Sequence, residues 1–155
     1  MSKKATTQEA RLILELYHLR REVQMRKARR WWMTDFWPEN AGDYLKVEMA
    51  RKTPESDWLR QVLSYWGMAA SFVLHDTLSQ KVFLEATFSG EMFVIFAKIR
   101  PLLHELRDKT LNPDLMRNIE KVILRSKTGR KRLRQISKRV ELRRKMLARP
   151  APPKI

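Results

Sequence analysis

TPESDWLRQVLSYWGMAASFVLH, residues 53–75, is the stretch from which the fold is read. Thr53 has the hydroxyl that caps a helix, Pro54 has no backbone donor to leave unpaired in a first turn, and Glu55 meets the positive end of the helix dipole. A helix should therefore start at Pro54 and run to about His75. Trp58, Leu59, Val62, Leu63, Tyr65, Trp66, Ala69, Ala70, Phe72 and Val73 cover more than half of its circumference. Such breadth belongs to a central, mostly buried helix.

Downstream, residues 91–109 are apolar almost all round at their start, and Ser89 is placed to cap them. Pro101 removes a hydrogen bond, yet Ile95, Ile99, Leu102, Leu103 and Leu106 keep one stripe across it, which predicts a kink within a second core helix. A short helix over 79–86 links the two. Asn112-Pro113-Asp114 restarts the helical pattern with Leu115, Ile119, Val122 and Ile123, and 126–129 (SKTG) is the clearest break after it.

Upstream, Thr6 and Glu9 have capping-box spacing, so a helix should run from there to about Asp35, stopped by Pro38. Its stripe of Leu12, Leu16, Leu19 and Val23 gives way to Met25, Ala28, Trp32 and Phe36 on another side, so the helix bends or meets different partners along its halves. Residues 40–51 read as a short, weaker helix. With four glycines and little β-branched alternation, the fold class is all-α: a compact, irregular helical bundle.

The boundaries follow from charge. The 155 residues carry 33 basic and 17 acidic side chains, a net charge of +16, and no cysteine. Residues 1–30 net +6, residues 31–113 net −2 and residues 114–155 net +12. A helical domain over 6–125, a basic helical extension over 126–148 and a disordered Pro-rich tail over 149–155 are expected. Disulfides, thiolate metal sites and a cysteine nucleophile are excluded. The polar first residues and a longest apolar run of only six residues, 92–97 (MFVIFA), read as a cytoplasmic protein without a signal peptide or membrane span.

Residues 66–83 (WGMAASFVLHDTLSQKVF) and 91–101 (EMFVIFAKIRP), with 29–36, resemble the helical part of a bacterial family of unknown function. Members of that family often carry the domain behind an N-terminal membrane anchor. The resemblance covers roughly residues 10–125 and rests on packing positions, and Gly67 stands where the family has an acid after the tryptophan. It implies a helical, non-secreted domain and transfers no site residues.

Chemistry is sparse. Glu15 and His18 have the Glu-x-x-His spacing of a di-iron bundle, but a second copy is missing, with only Glu91 and Glu105 as further candidates. His75-Asp76 falls at a helix end, and His104-Glu105 follows the kink. No nucleophile elbow, Ser-x-x-Lys or His-Glu-x-x-His occurs. The expectation is a binding protein with no catalytic residue, no metal and no cofactor, and a metal-dependent enzyme using Glu15 and His18 as a lesser alternative.

Two segments could bind. Trp31, Trp32, Phe36 and Trp37 follow Arg26, Lys27, Arg29 and Arg30; this cluster reads as core, as an interfacial helix on anionic lipid, or as a base-stacking platform, with Trp31 and Trp37 lying off the main stripe. The terminal run holds Arg130, Lys131, Arg132, Arg134, Lys138, Arg139, Arg143, Arg144 and Lys145 against a single acid, Glu141. Its thin stripe of Leu133, Ile136, Val140 and Leu147 anchors it weakly and makes a poor coiled coil, although a homodimer is compatible with it. The expected partner is nucleic acid, met through phosphates without sequence preference and helped by Arg20, Arg21, Arg26 and Lys27. An anionic membrane surface, an acidic protein and a solvated tail that only aids solubility are the alternatives. On this reading, removing 127–155 abolishes binding and leaves the melting transition in place.

Overall fold

The computed structural model describes residues 4–149, so the expected Pro-rich tail lies almost wholly outside the described residues. The described chain is all-α, without strands: α1 (Thr7–Leu19), α2 (Val23–Thr34), α3 (Ala41–Met49), α4 (Pro54–Leu74), α5 (Gln80–Phe83), α6 (Ala86–Ile99), α7 (Leu103–Thr110), α8 (Arg117–Leu124) and α9 (Lys127–Ala148), with a 3-10 turn at Arg100–Leu102. The starts are chemically defined. Thr6 and Glu9 form the reciprocal capping box, and Asn40, Thr53 and Ser126 each accept from a backbone N–H three residues on.

α4 is the central helix, packed against α2, α3 and α8. Leu59, Val62, Trp66, Ala69, Ala70 and Val73 on it are essentially inaccessible. α6 is the second core element, lying against α2, α8 and α9. Pro101 acts as expected: α6 ends, one 3-10 turn intervenes, and α7 carries on with Leu103 and Leu106 still buried.

Several boundaries differ from the sequence expectation. The single helix over 6–35 is two helices, because Glu22 adopts extended backbone and caps α2 by accepting from the Met25 N–H at 2.8 Å. The rotating stripe is the trace of that break. Leu16 is buried, but Leu19 and Val23 flank the joint and are 52% and 51% exposed. Ser89 is not a cap; α6 begins a turn earlier, and the Ser89 hydroxyl donates to the Glu85 carbonyl inside the helix. After Asn112-Pro113-Asp114 the chain turns before α8 begins, with Met116 at φ 55°.

The largest difference concerns the basic extension, which shares the core. Leu133, Ile136 and Val140 are buried in the same apolar cluster as α4 and α6, contributing roughly 2 kcal/mol each. SKTG is a helix start, not a linker: a Cβ on Gly129 would lie 2.1 Å from the Ile123 carbonyl oxygen, so glycine lets α9 begin directly against α8. Arg130 then donates to the Leu124 carbonyl, and Arg144, one turn beyond buried Val140, donates to the Pro38 carbonyl at 2.7 Å. Leu147 takes no part and is 50% exposed. Three of the four residues of that thin stripe, Leu133, Ile136 and Val140, are thus used within the fold.

Candidate functional site

The basic side chains fall into two populations. The first is turned inward. Arg20 is 4% exposed, its Nε donates to the Tyr65 hydroxyl at 3.1 Å, and its Nη2 donates to the Phe88 carbonyl. The Trp66 and Phe88 ring centroids each lie 4.6 Å from its Cζ, with Tyr17 and Tyr65 completing an aromatic enclosure. The Tyr65 hydroxyl in turn donates a hydrogen bond to the Leu16 carbonyl, and burial pushes its phenol above the ordinary range. Arg20 therefore closes the α1–α2 joint from inside and is unavailable to an anionic partner, contrary to its expected helper role.

Lys98 is the second inward cation. It is fully buried, and its Nζ donates to the carbonyls of Trp32 and Phe36, finishing the C-terminal end of α2. The Trp37 ring lies 3.7 Å from that Nζ, with the Arg144 guanidinium on the same ring at 6.0 Å. Burial, with Arg144 and Arg143 nearby, pushes the Lys98 ammonium down to about 7, against the pull of Asp35.

Glu91 is the half-buried acid that organises this side, accepting from Arg29 Nε at 2.8 Å and from Trp66 Nε1 at 3.0 Å. Sequence reading had treated Glu91 only as a possible metal ligand and passed over Lys98. A lysine inside MFVIFAKI, a run apolar on nearly every side, was the available signal for the latter.

The second population is on α9 and faces water. At about 3.6 residues per turn, Lys127, Lys131, Arg134, Lys138 and Lys145 fall within one narrow stripe directly opposite buried Gly129, Leu133, Ile136 and Val140. All five are exposed, and the ridge from first to last is about 27 Å long. Arg132, Arg139 and Arg143 lie on one flank, above α6, and Arg130 and Arg144 on the other. Glu141, the helix's one acid, borders the ridge and lies 3.8 Å from Arg144, so a single carboxylate on α9 stands against all of its cations. Of the nine predicted anion-binding residues, Arg132 and Arg144 are half-buried and the remaining seven exposed.

Trp31, expected as an interfacial aromatic, is 8% exposed and stacks on Phe36 with centroids 4.5 Å apart. Trp37 is half-buried under the two cations and donates to the Thr34 carbonyl. The aromatic cluster is thus core and helix-end packing. Glu15 and His18 are both exposed on α1, and no group of three or more metal-ligating side chains converges among the described residues. His75 ends α4 through its backbone, and His104 faces Asp108 at 3.6 Å while Glu105 pairs with Lys109. No described helix is long and apolar enough to cross a membrane.

A family model described as a domain of unknown function, DUF4760, matches residues 5–126. The chain belongs to this family. The DUF4760 match runs through α1 to α8 and ends at Ser126, the cap of α9, and it agrees with the resemblance read from residues 66–83 and 91–101. No curated protein and no solved structure matches the chain.

Proposed function

We propose that this DUF4760 protein is a non-catalytic binding protein that docks on nucleic-acid phosphates through the outward ridge of α9. The observation that carries this reading is the division of α9 into two faces. Leu133, Ile136 and Val140 hold one face against α6 and α8, and that fixes Lys127, Lys131, Arg134, Lys138 and Lys145 in a row toward solvent. A preformed row loses less entropy on binding than a helix that must order on its partner. Phosphates replacing the row's counterions provide an affinity that depends on salt and not on sequence. Exposed Arg21, Arg26 and Lys27 add to the same positive field. Such a protein works in the cytoplasm, where nucleic acid is at hand.

The second reading, an anionic membrane surface, no longer draws on Trp31. It is favoured by Leu142 and Met146, 61% and 55% exposed beside the cationic ridge. Fluorescence anisotropy with labelled duplex DNA and single-stranded RNA, using wild type and Lys131→Gln/Arg134→Gln/Lys138→Gln, tests the first reading. At 50 mM salt the triple variant should bind at least tenfold more weakly with an unchanged melting temperature, on the order of the loss expected for three phosphate contacts. Equal affinity of the two proteins would overturn it, and a blue shift of emission on anionic vesicles with no response to nucleic acid would favour the second.

A further inference from the structure

The flank of α9 that faces α6 forms a groove of about 440 Å3, distinct from the outward ridge and within the size range of small-molecule sites. One wall is a single stripe of α6, Ala86, Gly90 and Val94, and the other is Ile136 and Val140 of α9, with Met33 and Trp37 completing the apolar lining. Its rim is cationic: Arg132, Arg139 and Arg143 line it, and no acid does. One feature marks the groove as unfilled by the protein's own packing. Nothing lies within 4 Å of where a Gly90 Cβ would stand, so this mid-helix glycine, which costs about 1 kcal/mol relative to alanine, is not required by any neighbour. The Arg132 guanidinium carbon lies 5.4 Å from the Phe93 centroid, which anchors that side chain at the rim.

An apolar trough edged by three guanidinium groups is complementary to a molecule with an alkyl chain and a carboxylate head. We propose that this groove binds a free single-chain fatty acid, with the chain along Gly90, Val94 and Ile136 and the carboxylate at the exposed guanidinium groups of Arg139 and Arg143. A neutral head would forgo that charge-assisted pairing, and a cationic head would be repelled.

Isothermal titration calorimetry of the full chain with dodecanoate, kept below its micelle concentration, tests this, with dodecanol as the neutral comparison. Dodecanoate should saturate one site, and dodecanol should bind at least tenfold more weakly to the same protein. Gly90→Leu should abolish the saturable heat while the protein still melts cooperatively, and Arg139→Gln/Arg143→Gln should weaken dodecanoate at least tenfold. The ridge variant Lys131→Gln/Arg134→Gln/Lys138→Gln should bind dodecanoate as wild type does, which separates this site from the nucleic-acid surface. Absence of a saturable site, equal binding of dodecanol, or binding that survives Gly90→Leu would overturn the proposal, as would capture of anionic vesicles by a protein that does not bind dodecanoate. If Gly90→Leu fails to fold, the comparison of dodecanoate with dodecanol on wild type decides alone.

Discussion

The bundle and its last helix use the same residue types in opposite ways. Within α1 to α8, Arg20, Arg29, Lys98 and Arg107 have their cationic heads taken up by carbonyls, rings and carboxylates, and the first three tie together segments far apart in sequence. On α9 the ridge cations have water in front of them and a packed apolar face behind. Positive charge is therefore structural glue in one region and an open surface in the other. Composition alone does not distinguish the two, because burial and partners decide which role a given arginine takes.

The sharpest way to break the comparison is to treat an inward cation as if it were outward. Arg20→Ala removes two charge-assisted hydrogen bonds and four ring contacts and leaves a cavity, so it should lower stability by about 3–4 kcal/mol in chemical denaturation. A loss under 1 kcal/mol would mean that the guanidinium is not holding the joint. Leu133→Ala probes the other side, since α9 counts as core only if its inward face does. We expect a cost of about 3 kcal/mol, and removal of 127–155 should lower the melting temperature markedly by uncovering α6 and α8. An unchanged transition would restore the picture of a loose extension.

Lys98 sharpens the comparison through pH. Its folded value is about 7 against an ordinary 10.5, so between those limits the unfolded chain binds more protons than the native one. Stability must then rise with pH across that window. Lys98→Met should flatten this rise and, by leaving the Trp32 and Phe36 carbonyls unpaired, cost about 1–3 kcal/mol at pH 7. Urea titrations at pH 6.5, 8 and 9.5 on both proteins read the two effects together. The smallest effect on stability belongs to the ridge, where Lys131→Gln, Arg134→Gln and Lys138→Gln should each fall within about 0.5 kcal/mol of wild type.

The starts of α1 and α4 were legible because capping is local: Thr6 with Glu9, and Thr53 with Pro54, carry their partners within four residues. The core positions of α4 and the kink at Pro101 were legible for the same reason, through periodicity. What escaped depends on contacts between distant segments. Arg20 reads as a surface residue until Tyr65 and Phe88 close around it. Gly129 reads as a loop residue until the Ile123 carbonyl is seen against it, and the grip of Arg144 on Pro38 spans 106 residues. The nine basic residues of α9 were legible as a set, but their division between ridge, groove and structural contact was not, since it depends on which face Leu133, Ile136 and Val140 turn inward.

The slope of log K against log salt for wild type and the ridge triple variant is the most direct test of an outward face built for phosphates. Each lost phosphate contact on duplex DNA removes about 0.9 from that slope, so the account predicts a slope shallower by roughly 2.7 in the variant. Parallel lines would show that Lys131, Arg134 and Lys138 touch no phosphate and would contradict it.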